Sequence, residues 1–300
     1  MNKVNKNGIG YYTIDRMEDV QNQLLRLLEL IDKICRENDL KYFLDGGTAI
    51  GAYRHGGFIP WDDDLDISML KPDYLKLVDI LKSMDRSKYF LFDYEQNMHS
   101  CCFFGERCPF FAAVDEKKRH IYPIKIDIAP LNVIENTEES LTENRILREL
   151  SGLVLYGKCS DQFYQKALEL YELRFDKDSK KFLSFYNLEY GKYHDVKNAT
   201  LAYTSTYYAT ERTYKYSDIF PLKEITFSGI KSFVPTSDVI IAEIYGDYMK
   251  MPDLEARKPV ARNVFYARYI KFLYEYLIDK TEKTKLQKLF FSLTANLLCK

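Results

Sequence analysis

The segment DLDISM, residues 64–69, alternates acidic or polar residues with apolar ones, and few folds can accept it. In an extended chain Leu65, Ile67 and Met69 fall on one face, and Asp64, Asp66 and Ser68 on the other. The apolar face needs a core beneath it. The opposite face then presents two carboxylates about 6 to 7 Å apart along the strand, directed to one region of space. Such a pair repels itself and holds protons unless a cation lies close by, so the pattern predicts a half-buried strand beside a cation site.

The preceding residues give that site a purpose. KYFLD (41–45) reads as a short strand, Gly46 and Gly47 as a sharp turn, and TAIGAYRH (48–55) as a short helix opened by Thr48. Glycines let a ligand approach the backbone closely, and N–H groups at a helix start accept phosphate. Mg²⁺ commonly takes one or two carboxylates and completes its shell with water and phosphate oxygens. Glycine turn and acid pair would therefore hold the same phosphate. Upstream, Val20, Leu24, Leu27, Leu28, Ile31, Ile34 and Cys35 recur at helical spacing, so residues 17–37 form an amphipathic helix that covers a sheet. Downstream, HIYPIKIDIAPL (120–131) reads as one strand, with Ile124, Ile126 and Ile128 on one face and Lys125 and Asp127 on the other. Asp127 is the candidate third acid; Lys125 either offsets its charge or touches substrate.

Other readings fit less well. Asp62, Asp64 and Asp66 match the first positions of a Ca²⁺ loop, but Ile67 stands where that loop needs glycine and Asp73 where it needs a bidentate Glu. His99, Cys101, Cys102 and Cys108 lack the cysteine spacing of a zinc site. With 300 residues, 46% of them apolar and 29% charged, the chain has enough apolar side chains for a large core. A net charge of −1 argues against a nucleic-acid partner. Six cysteines without a CxxC pair, and a start without an apolar run, fit reduced thiols in a cytoplasmic protein.

Three blocks, FLDGGTAIGAYRHGGFIPWDDDLDIS, KIDIAPL and FSGIKSFVPTSDVIIAEIYGDYMKMP, together resemble the LicD family. The resemblance spans roughly residues 20–255. It implies an α+β fold: a nucleotidyltransferase-like mixed sheet flanked by helices, with a mainly helical C-terminal lobe. The expected division is a catalytic core over 1–135 and a lobe over 136–300 that completes the acceptor site, as one compact unit. By the same resemblance Gly46 and Gly47 are the glycine turn, Asp64 and Asp66 the metal pair, and Asp127 the third acid. Two departures stand out. Many members have a second proline and a histidine after the YGDYMKMP segment, where this chain reads DLEARKPVAR, and Asn132 replaces the acid that usually closes the second block.

The implied reaction moves a phospho-alcohol, phosphocholine or similar, from a CDP-linked donor to a glycan or lipid-linked glycan acceptor, with Mg²⁺ or Mn²⁺ as cofactor. A nucleotidyltransferase using NTP and a non-catalytic, metal-dependent glycan-binding protein are the alternatives. Asp64 and Asp66 would hold metal on the donor diphosphate, and Asp127 would act as ligand or as base. Gly46, Gly47 and Thr48 would cradle phosphate. Arg54 would steady it or pair structurally, His55 would do the same or cap its helix, and Trp61 would pack the loop or stack on a base. In the third block, FSGIKSFVP reads as a strand and SDVIIAEIYGDYM as a helix capped by Ser237. The middle region, with the Tyr-rich stretch 203–216, is where specificity is expected. Leu286, Leu289, Phe290, Leu293 and Leu297 share a helical face, so 284–300 either docks on the body or lies on the inner face of the membrane.

Overall fold

The structure, a computed structural model, describes residues 3–4, 10–13, 17–93, 101–106, 111–115, 120–204, 212–253, 256–257 and 263–266. The segment 284–300, His99, Cys108 and residues 205–211 of the Tyr-rich stretch lie outside them. The chain runs β1 (Lys3–Val4), β2 (Gly10–Thr13), α1 (Met17–Glu37), β3 (Tyr42–Leu44), α2 (Gly46–His55), β4 (Leu65–Leu70), α3 (Lys71–Ser83), β5 (Tyr89–Phe92), β6 (Cys102–Glu106), β7 (Phe111–Asp115), β8 (His120–Pro123) and β9 (Ile126–Ile134). Three helices follow: α4 (Glu138–Tyr156), α5 (Asp161–Phe175) and α6 (Ser179–Ser184). Then come β10 (Thr200–Tyr203), β11 (Thr213–Lys215), α7 (Tyr216–Ile219), β12 (Lys223–Phe227), β13 (Ile230–Val234), α8 (Val239–Tyr245) and β14 (Asn263–Tyr266).

The architecture is a mixed sheet flanked by helices. Its backbone is the path β11-β10-β9-β4-β3, with β6 also on β9 and β5 on β6. β9 is nine residues long and serves three partners. One edge runs parallel to β4 from Leu65↔Ile126 to Leu70↔Leu131. The other edge is divided between β6, beside residues 126–128, and β10, beside residues 131–134. The second half of the chain thus returns to the sheet that the first half builds.

Each face of this sheet meets its own core. Leu65, Ile67 and Met69 of β4 pack with Leu24, Leu27, Leu28 and Ile31 of α1 and Leu77 and Leu81 of α3. That is the outcome the α1 periodicity requires, since its buried residues form one stripe. The opposite face is apolar only at its far end, where Phe43, Leu70, Leu131 and Val133 meet Leu201, Tyr203, Tyr214 and Ile240. At the near end of that face stand Asp66 and Asp127. A third core, of Leu147, Leu150, Ala167, Phe175, Phe182 and Tyr186, holds α4, α5 and α6 together. Among the described residues no helix is long and apolar enough to cross a membrane.

The expected single strand over 120–131 is two strands in two sheets. β8 pairs with β7 in a five-stranded sheet of order β1-β2-β14-β7-β8, and β9 belongs to the main sheet. Pro123 closes β8, because proline has no N–H to continue a ladder. Residues 227–235, read as one strand, contain the turn of the β12–β13 hairpin at Ser228–Gly229, where Gly229 takes φ +88°. The helix expected in the third block is α8, but its N-cap is Asp238 and not Ser237, whose Oγ lies one residue earlier and accepts from the N–H of Val239 at 3.2 Å; Gly246 closes the helix with φ +64°.

The loop after α2 is fastened by close backbone packing. Phe58 and Ile59 are buried, and a Cβ on Gly51 would lie 2.4 Å from the carbonyl oxygen of Gly57. Backbone cannot yield as a flexible side chain does, so Gly51→Ala is expected to destabilise the protein by about 1–3 kcal/mol. Chemical denaturation followed by fluorescence of Trp61, the only tryptophan, checks this, and an unchanged midpoint would contradict it.

Candidate active site

The glycine turn is held by a carboxylate, Asp45, that no motif or spacing singles out. Asp45 is buried, and one of its oxygens accepts from the N–H of Gly46 at 2.8 Å. The other accepts from the hydroxyls of Ser68 and Tyr203, each at 2.5 Å. Its own N–H donates to the carbonyl of Asp66 at 3.1 Å. Asp45 therefore caps α2 while tying it to β4 and β10. Thr48, expected to open the helix, lies inside its first turn, and its Oγ1 instead accepts from the N–H of Asp66 at 2.9 Å. The cap falls to Asp45 because its extended backbone and short carboxylate reach the first free N–H.

Both glycines make room for acids. Gly46 takes φ +53°, a conformation that favours glycine, and a Cβ there would stand 3.1 Å from Asp66 Oδ2. A Cβ on Gly47 would stand 3.0 Å from Asp62 Oδ2. The start of α2 is thus packed directly against two carboxylates.

The remaining acids gather beside it. Asp66 and Asp127 are register partners on the parallel strands β4 and β9, and adjacent strands lie only about 4.8 Å apart. Asp64 precedes β4 on the same face, and Asp66 is half-buried. Burial raises the Asp66 carboxyl well above its ordinary range, helped by Asp64, Asp127 and Asp45. Asp64 is raised by burial and by Asp127. Asp62 is pushed up to about 8 by burial and then by Asp64 and Asp63. Its Oδ2 is buried without a hydrogen-bond donor, and it faces another acid. In the sequence Asp62 stands out only as part of a Ca²⁺-loop spacing. That loop does not exist, because Asp66 lies in β4 and Asp73 in α3.

Lys125 forms an ion pair with Asp127. Burial opposes the charge on its ammonium, but Asp127 outweighs that cost and the lysine is raised. Among the described residues no three His, Cys, Asp or Glu side chains close on a common point as a ready-made metal site. Cys102, in β6, is a fully buried free thiol.

Arg54 is committed elsewhere: Nη1 donates to the carbonyls of Tyr248 at 2.6 Å and Lys250 at 3.0 Å, anchoring the chain beyond α8. His55 ends α2 edge-on to Trp61, with a centroid separation of 6.5 Å. Burial and then Arg54 lower its imidazole, which disfavours the cation a phosphate would need. Trp61 packs against the main core. The structure adds a residue that no motif spacing marked. The phenol oxygen of Tyr245, at the end of α8, lies 3.5 Å from where a Gly46 Cβ would be. Burial, with Asp66, Asp45, Asp64 and Asp62, raises that phenol, so it remains a hydrogen-bond donor beside the acids.

Comparison with known proteins places this site in a recognised context. Residues 39–149 match the model of the LicD/FKTN/FKRP nucleotidyltransferase domain. The chain is 28% identical over 259 residues to the lipopolysaccharide cholinephosphotransferase LicD of Haemophilus influenzae, covering 81% of this chain and 95% of the relative. An uncharacterized protein of Rickettsia prowazekii is 34% identical over 100 residues, 33% of this chain and 36% of that one. Human ribitol 5-phosphate transferase FKRP is 47% identical over 34 residues, 11% of this chain and 7% of its own.

The crowded acids make stability depend on pH. Asp62, at about 8 in the folded chain against an ordinary 3.8, binds a proton more readily folded than unfolded. The stability it lends is complete below pH 3.8 and is lost as pH rises toward 8. In the presence of a chelator, Tm is therefore expected to fall between pH 5 and pH 7, and Asp62→Asn to flatten that fall. A Tm of the parent protein that rises across this window, after subtracting the Asp62→Asn profile, would contradict the assignment.

Proposed function

We propose that this chain, a member of the LicD/FKTN/FKRP nucleotidyltransferase family through residues 39–149, moves a phospho-alcohol from a CDP-linked donor to a cell-surface glycan precursor and releases CMP. Phosphocholine or a similar small alcohol phosphate is the transferred group. The observation that carries the reading is the lateral pairing of Asp127 with Asp66, which itself lies directly against the glycine turn of α2. The names of two relatives agree in kind, since one is a cholinephosphotransferase of lipopolysaccharide and the other a ribitol 5-phosphate transferase.

The donor set suits a hard divalent cation: the groups able to ligate are carboxylates, Asp62, Asp64 and Asp66 are raised by burial and by neighbouring carboxylates, and a buried oxygen of Asp62 lacks a donor. Asp64 and Asp66 would hold Mg²⁺ or Mn²⁺, with Asp127 alongside and phosphate oxygens completing the shell. When bound, the ion neutralises charge on the diphosphate and on the departing nucleotide. The N–H groups of Gly47 and Thr48, next after the capped Gly46, would receive phosphate oxygens at the helix start. Tyr245 would donate its phenol proton to a phosphate oxygen at the rim. Asp45 keeps turn and strand in register, which matters because alignment of donor and acceptor supplies much of the rate.

A nucleotide-linked donor places the reaction in the cytoplasm, with a lipid-linked acceptor met at the inner face of the membrane. Incubation with Mg²⁺ and a panel of CDP-alcohols and NTPs is the direct test. Release of CMP from a CDP-alcohol is expected; pyrophosphate from NTP would mark a nucleotidyltransferase, and neither product a binding protein. Asp64→Ala and Asp66→Ala should each lower turnover by at least roughly 10³-fold with the circular dichroism spectrum unchanged. Full activity in both variants would remove the acid pair from the mechanism.

A further inference from the structure

Lys125 stands at the break between the two sheets, one residue before β9. It lies two residues before Asp127, and its ammonium pairs with Asp127 Oδ1. The two side chains are only 16% and 29% exposed, so water screens the pair less than a surface ion pair. The same ammonium lies 3.9 Å from the ring centroid of Phe103, which is the register partner of Asp127 on β6. On the other side of Asp127 the register partner is Asp66. Three strands thus set out a row of Phe103, Asp127 and Asp66, with a lysine cation held over its first two members. Of the two strands that flank Asp127, one carries an acid and the other an aromatic ring, and the ammonium lies over the ring.

Resting on the metal-dependent reading above, we propose that Lys125 is a built-in counter-cation that restrains Asp127, so that the site takes one divalent ion, held by Asp64 and Asp66. Lys125 is a positioning residue, because it acts through Asp127. Restraining one acid lowers the affinity for metal and supplies fixed positive charge beside the donor phosphates without a second ion.

The test is Mn²⁺ binding to the full chain, by calorimetry and by electron paramagnetic resonance, independent of turnover. Lys125→Met keeps an unbranched apolar stem against Phe103 and deletes the charge. Wild type is expected to bind one Mn²⁺. Lys125→Met is expected either to bind a second ion or to bind the first at least about tenfold tighter, the scale of losing one competing charge contact. Asp127→Asn in the Lys125→Met background should abolish that gain, and Lys125→Arg should behave as wild type. A purely structural role would weaken binding in Lys125→Met, and that result, or unchanged binding, overturns the proposal while leaving the acid pair in place. Two ions in wild type would also overturn it. Mn²⁺ binding absent from wild type would remove the metal-dependent reading and this inference together.

Discussion

The parallel pairing of β4 with β9 is the interaction on which the rest of the site depends. It aligns Asp66 with Asp127 and, four residues on, Leu70 with Leu131. One register therefore sets both the acid end of the face and its apolar end. A slip of one residue would turn Asp66 toward the core of α1 and α3, because side chains alternate along a strand. The apolar end is sealed by Leu201, Tyr203, Tyr214 and Ile240 from the second half of the chain, which prevents such a slip without covering the acids.

Asp45 links this register to the glycine turn of α2. Buried carboxylates are costly unless satisfied, and this one accepts from a backbone N–H and two hydroxyls carried by three different elements. The acids of the site are the opposite case. Asp62 and Asp66 are raised by burial and then by neighbouring carboxylates, so their ionised forms are disfavoured. Satisfied support thus lies beneath acids whose ionised forms are disfavoured, and a cation beside them would reverse that preference.

Asn132, where the LicD-like pattern closes on an acid, is held in the fold through its Oδ1. Asn132 is buried, and its Oδ1 accepts from Thr204 at 2.9 Å and from Lys71 at 3.4 Å. Lys71, fully buried at the start of α3, is pushed down to about 7 by burial and then by Lys192. A neutral amide beside a lysine that readily sheds its proton avoids an unbalanced buried charge. Gly191 completes the arrangement, since a Cβ there would fall 2.3 Å from Asn132 Oδ1.

Local chemistry alone determined a large part of this protein. The stripe of α1 was legible over 17–37 and is observed as Met17–Glu37, and the alternation at 64–69 became β4 with its apolar residues buried. Gly46 and Gly47 read as a turn for close approach, and both lie against carboxylates. Other features depended on contacts between residues far apart in the chain. Nothing near Asp45 announces hydroxyl partners at 68 and 203, nothing near Tyr245 places its phenol over Gly46, and the orphaned oxygen of Asp62 exists only once α2 is packed against the loop. Periodicity along 120–131 continued through the point where the chain changes sheets, because it records which side of a strand is apolar and not which strand lies beside it. Residue types and spacing determined which acids and glycines are candidates for a site; tertiary pairing decided which of them meet, since register and burial are properties of contacts and not of neighbours in sequence.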